Sequence, residues 1–322
     1  MVAPQPSEPL AEPKMSGIDP KKPRFAAVVP RRLAVDREGA DLPGLVEDSD
    51  HKRVVKQALD WQMAAGQASF WEMGAHLQGI ERDRVYALTG QMASAGEQLS
   101  LAYAAGCEVA LWRDSRKEDS PDPVDEMCIR GMGEAQCLFV VGTGHALANV
   151  AVRALAVDPT RRVELGERLG RRSSLPSFDP FSNAKEDYVS MNRETCKAIE
   201  SVATASGDPE LSGLVLPVVE FGRGKSWRDL DERRGEDFHR WRPQTDGIAG
   251  VPRSTPWSGD DGVGMLTIGH PVYDDARGLA EETSRIATAA MLDVASAMEE
   301  FGDKWVPPGS SIRNGAAAGL KP

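Results

Sequence analysis

Aromatic residues are scarce in this chain, at 6% of 322 residues, and alternating strand-like runs are few. That argues against an all-β fold, whose half-buried strands need aromatic and β-branched residues at period two. Cys-x-x-Cys pairs are absent. The four cysteines, Cys107, Cys128, Cys137 and Cys196, lie far apart among apolar residues. This spacing argues against a structural zinc site and reads as reduced core positions of a cytoplasmic protein. His-Glu-x-x-His, EF-hand and Gly-x-Ser-x-Gly patterns are missing as well, which leaves no metalloprotease, calcium-loop or serine-hydrolase signature. Met1–Leu10 holds prolines and an acid where a secretory signal has a basic start and an apolar core. Basic charge is also short. The formal charge is −11, so binding to nucleic acid needs a local basic patch.

What is present is helical periodicity. Residues 1–44 are proline-rich with mixed charge and read as a flexible arm. Its Lys21, Lys22, Arg24, Arg31 and Arg32 form a solvated tail that can touch an acidic partner. Asp50 is placed to cap a long helix with Val55, Leu59, Met63, Gly66, Phe70, Met73 and Leu77 on one face. Val85, Leu88, Met92, Ala95, Leu99, Ala102, Gly106 and Ala110 repeat the pattern with small residues that permit close helix approach. Ser115–Pro123 is a charged loop. Met127–Leu155 is apolar on nearly all sides, as a helix in the middle of a bundle is. Its His145, Asn149 and Arg153 favour a buried core helix over a membrane span.

Pro159–Pro180 reads as a polar connector. Asn183 and Glu186 have capping-box spacing ahead of a helix that turns Tyr188, Met191, Thr195, Ile199 and Val202 inward. Gly213–Phe221 is a short apolar element of either type. Ser226 and Asp229 open a further helix that Pro243 ends. A long Gly-, Asp-, Ser- and Pro-rich loop, Gln244–Pro271, separates it from a last helix over Arg277–Phe301. The pattern predicts an all-α helical bundle of about five to seven helices. One domain spans 45–305, with a loose tail at 306–322. The apolar faces around Leu99 and Phe139 can also feed a dimer interface.

Chemistry concentrates in one segment. From Phe221 to Arg242 there are seven Lys/Arg against five Asp/Glu, a basic stretch inside an acidic protein. Arg234 shares a helical face with Trp227, Leu230 and Phe238, so its guanidinium must reach water or an anion. His239 follows five positions on and titrates near neutrality. Arg233, Arg240 and Arg242 add cations that suit a phosphate-bearing substrate.

Here the chain resembles the HEPN superfamily of helical-bundle proteins. That family is marked by Arg, four to six residues, then His on a late helix, with a loop and a closing helix after it. The resemblance covers roughly Ser226–Phe301. It implies a metal-independent ribonuclease of the toxin or phage-defence kind, acting as a dimer whose motifs face one groove. RNA, a second copy of the chain and a neutralising protein would be its partners, with no cofactor. Carried over, Arg234 would hold the scissile phosphate. His239 would move a proton to or from the ribose 2′-hydroxyl and the leaving oxygen. The family's polar residue after the arginine is Gly235 here. If Arg233 is the motif arginine, Arg234 takes that polar place. Glu236 and Asp237 stand inside the motif and compete with phosphate. The other reading is a non-catalytic helical module that binds a protein or nucleotide partner. In that case the arginine pairs with a carboxylate and the histidine sits at a helix C-terminus.

Three further patterns invite a functional reading. Gly222-Arg223-Gly224-Lys225-Ser226 imitates a phosphate loop but has Val219 where the first glycine belongs. Gly142-Thr143-Gly144-His145 lies in the apolar helix, where glycines allow close packing and a histidine is more often a satisfied core residue than a base. His270 with Asp274 and Asp275 has no nucleophile to serve.

Overall fold

The computed structural model describes residues 48–63, 82–115, 123–170, 178–182, 187–239 and 276–305. The N-terminal arm, the apolar positions Gly66–Leu77, the Asn183–Glu186 spacing, the loop after Pro243 and the C-terminal tail lie outside the described residues. Among the described residues the chain is all-α, with eight helices and no strand. They are α1 (Asp48–Gln62), α2 (Arg82–Ser115), α3 (Pro123–Ala156), α4 (Pro159–Arg168), α5 (Arg193–Ala205), α6 (Pro209–Arg223), α7 (Lys225–His239) and α8 (Ala276–Trp305).

Helix α3 is the hub because it has no polar face to offer water. Its segment Cys128–Ala156 is long and apolar enough to cross a membrane, and 72% of its most apolar window is buried within the bundle. Helices α2 and α8 run along it, α1 packs on α2, and α5–α7 close the remaining flank. Small residues set these distances. A Cβ on Gly96 would fall 2.6 Å from the carbonyl oxygen of Ala58, and one on Gly133 would fall 3.2 Å from that of Ala280. Glycine is what lets α1 approach α2, and α8 approach α3, this closely.

Several sequence expectations shift. The inward face of α1 is Val54, Gln57, Ala58 and Trp61, whereas Val55 and Leu59 are half-buried and Met63 is 52% exposed. Trp61 decides this, because its indole packs against Phe301 of α8 and draws the helix round. The connector after Pro159 holds a helix, α4. Asp158 accepts from the amides of Thr160 and Arg161, and Pro159 fits the first turn. The element of either type is the second half of α6. Pro217 lies inside it and removes the N–H that Gly213 would accept. Lys304 of α8 donates to that Gly213 carbonyl at 2.8 Å, so the proline's vacancy becomes a tie between helices.

Two residues of α3, one turn apart, fix where α5 begins. Asn149 is fully buried. Its amide donates to Val189 O at 2.7 Å and its oxygen accepts the Val189 N–H at 3.1 Å. His145 Nδ1 accepts the Met191 N–H at 2.9 Å. The stretch 189–191 is thereby held against α3, and Asn192 then caps α5 by accepting from Thr195 N. This anchoring places the first turn of α5 beside α7.

Candidate anion-binding groove

The start of α5, the end of α6 and one side of α7 enclose a groove of about 990 Å³. Five cations line it: Arg193 and Lys197 from α5, Arg223 from α6, and Arg228 and Arg234 from α7. Two acids, Asp231 and Glu232, face them. The volume lies in the range of small-molecule sites, and the lining is positive although the whole chain is acidic.

Helix α7 is built to present this face. Lys225 pairs with Asp229 one turn on, and Ser226 bonds Asp293 of α8. Trp227, Leu230 and Arg233, three apart, are buried at 3%, 0% and 4% exposure. Trp227 fits because Gly144 of α3 has no side chain; a Cβ there would run into the indole ring. The glycine pair of α3 therefore serves packing. Arg233 turns inward as well, and its Nε and Nη2 donate to Thr283 of α8 at 2.9 and 2.8 Å. Arg234 lies about 100° round and enters the groove.

The two neighbouring arginines thus part company. Arg234 lines the groove with its side chain 30% exposed, and its Nη2 meets Asp231 at 2.8 Å. Its Nε is sealed from solvent and has no hydrogen-bond partner among the described residues. Arg233 is committed to α8. His239 ends α7, but its side chain, like all of Arg240 and Arg242, lies outside the described residues.

Not every groove cation is available. Arg223 holds both oxygens of Glu200, at 3.0 and 2.6 Å, and keeps that carboxyl below the usual range. Arg193, Lys197 and Arg228 make no side-chain hydrogen bond or ion pair among the described residues. Three free cations and the half-met Arg234 converge on one concave surface. Unpaired positive charge on this scale is a ready seat for an anion.

Beneath the groove lie two groups that could be mistaken for its chemistry. His145 packs edge-on to Trp227 with ring centroids 5.7 Å apart. Its Nδ1 accepts the Met191 amide, so the neutral ring carries its proton on Nε2. Burial pushes its pKa down; the charge of Arg234 adds to this and Asp231 opposes it. It is a half-buried histidine behind the indole, with Nδ1 committed to the Met191 amide. The Cys196 thiol, packed on Met191 Sδ at 3.6 Å under Gly222, is pushed up to about 11 by burial. It stays protonated at neutral pH and is a poor nucleophile. Among the described residues no group of three or more His, Cys, Asp or Glu could hold a metal ion.

The groove's other wall comes from α5, outside the sequence of α7. Arg193 and Lys197 are one turn apart, opposite the buried Thr195, Ile199 and Val202, and this i, i+4 pair was the available signal. What placed it near Arg234 was the anchoring of Val189 and Met191 on α3, which no local pattern records. In comparisons with known proteins, the chain matches no family model, no curated protein and no solved structure.

Proposed function

We propose that this chain is a helical module that binds a phosphate-bearing ligand in the α5–α7 groove. One observation carries the reading: among the described residues, Arg193, Lys197 and Arg228 stand free in a single groove, beside an Arg234 whose Nε is unmet, in a protein of charge −11. Solvated surface cations usually disperse or pair with nearby acids, and this protein has acids to spare. A nucleotide or the backbone of single-stranded RNA supplies the charge that such a surface accepts.

The ribonuclease suggested by the resemblance to the HEPN superfamily is a stronger claim on the same groove. It is supported by Arg234 facing the groove and by His239 following it on α7. In that reaction the 2′-hydroxyl attacks the phosphorus while a base takes its proton. The 5′-oxygen leaves with a proton, and Arg234 balances charge on the phosphoryl oxygens. Two copies facing one another would make the composite groove of that family.

The test is binding and cleavage of a labelled single-stranded RNA in excess EDTA, for wild type, Arg234→Ala and His239→Ala. Binding that weakens about tenfold in Arg234→Ala supports the phosphate groove. Cleavage lost in His239→Ala with binding kept supports the ribonuclease. Neither binding nor cleavage from folded protein, with nucleotides also failing to bind, overturns both.

A further inference from the structure

We propose that Asp231 is the specificity-determining residue of the groove: an internal counter-anion that a ligand phosphate must displace from Arg234. This rests on the phosphate-binding reading above and adds the step by which the ligand gains entry. The geometry lies in one guanidinium. The Nε–H and Nη2–H of arginine point the same way and form a fork that a carboxylate or phosphate fills with two oxygens. Arg285 shows the filled state at the same i, i+3 spacing. Glu282 gives one oxygen to Nε at 2.8 Å and the other to Nη2 at 2.7 Å. Arg234 shows the half-filled state. Asp231 reaches Nη2 at 2.8 Å, and Nε has no partner.

The difference follows from side-chain length. Aspartate is one methylene shorter than glutamate, and from three residues back its carboxylate meets one arm of the fork only. A phosphate has no such tether and, once Asp231 gives way, can meet both arms. It also brings charge toward Arg193, Lys197 and Arg228, which Asp231 leaves without a pair. A phosphate dianion or a chain of phosphates therefore gains on two counts over the resident carboxylate. A singly charged carboxylate ligand offers the fork no more charge than Asp231 already does. The groove holds Arg234 in place when empty and surrenders it only to a better anion.

Binding of inorganic pyrophosphate by calorimetry, and of fluorescein-labelled octauridylate by anisotropy, tests this at fixed ionic strength. Whichever probe binds carries the comparison and identifies the ligand as a small polyphosphate or an RNA backbone. Asp231→Asn frees the fork and tightens binding by roughly three- to tenfold. Glu232→Gln, the same charge change on an unpaired neighbour, tightens it less than about twofold. Asp231→Glu fills both arms at unchanged charge and weakens binding by roughly two- to fivefold. In an Arg234→Ala background the Asp231→Glu effect disappears. Asp231→Glu binding as well as wild type, or an effect that persists without Arg234, overturns the proposal while leaving the groove intact. Failure of wild type and of Asp231→Asn to bind either probe, with native helical circular dichroism, overturns the groove itself.

Discussion

Two polar regions lie within a few turns of each other on this bundle, and they treat their polar groups in opposite ways. At the seam of α3, α7 and α8, each partner is supplied from within. Buried Gln136 donates to Thr288 Oγ1 at 3.0 Å and accepts from Ser284 Oγ at 2.6 Å, while Arg233 holds Thr283. In the groove across α7, charge is left over. The same helix supplies both, since Arg233 and Arg234 are adjacent in sequence and about 100° apart in direction. Satisfaction of polar groups separates what holds this fold from what it presents, and residue type alone does not.

The largest test of that contrast is the arginine pair itself. Arg233→Ala should cost on the order of 3 kcal/mol, because it opens space in the core and strands a buried hydroxyl. Arg234→Ala should cost less than about 1 kcal/mol, since a partly exposed pair with Asp231 contributes little, yet it should weaken phosphate binding about tenfold. Urea unfolding with the m-value monitored separates the two. Equal stability losses would show that the groove arginine is also a structural one.

A smaller effect sharpens the same contrast from the seam. Gln136→Leu leaves Ser284 and Thr288 without their partner and should cost about 1–3 kcal/mol. Replacing all three as Gln136→Leu, Ser284→Ala and Thr288→Val should recover much of that loss, because no polar group is then left unmet. If the triple variant is as unstable as the single one, shape rather than hydrogen bonding holds the α3–α8 contact.

The helical class was readable because apolar residues recur at three and four along α2 and α8, and because α3 is apolar all round. Periodicity gives face and length but cannot rank faces. Spacing alone turns Val55 and Leu59 of α1 inward, and the Trp61–Phe301 contact overrules it. Pro159 and Pro217 were hard to read for a related reason. Pro159 sits in the first turn of α4, where its missing N–H costs no intrahelical bond, and the Gly213 carbonyl that Pro217 leaves free is met by Lys304 from a distant segment. Arg234 stood out as a cation on an apolar face. Its fellow cations Arg193 and Lys197 come from another helix, placed by hydrogen bonds of Asn149 and His145 that span 40 and 46 residues. A site assembled at that range leaves only faint marks in any local window.

The smallest effect joins the two regions through His145, which lies between the core and the groove. Its pKa sits below the ordinary value of 6.5, chiefly from burial and next from Arg234. The unfolded ring takes a proton near 6.5, whereas the folded ring takes one only at lower pH. Between those points the unfolded chain binds more protons, so stability falls as pH drops below about 6.5 and levels off once the folded ring is charged. Above that range the ring adds no pH dependence. The lowered carboxyls of Asp158, Glu200 and Glu282 act in a separate window, as pH falls through and below their ordinary values of 3.8 to 4.5. The difference in melting temperature between wild type and His145→Gln from pH 7.5 to 5.5 reads this histidine apart from those carboxyls. Wild type should lose stability toward pH 5.5, and His145→Gln should flatten that slope. Arg234→Ala should reduce the slope, because it removes a positive charge that opposes protonation, and Asp231→Asn should steepen it. Parallel profiles for wild type and His145→Gln would mean that the ring is as easily protonated folded as unfolded, and that the wall between core and groove is wetter than its packing on Trp227 implies.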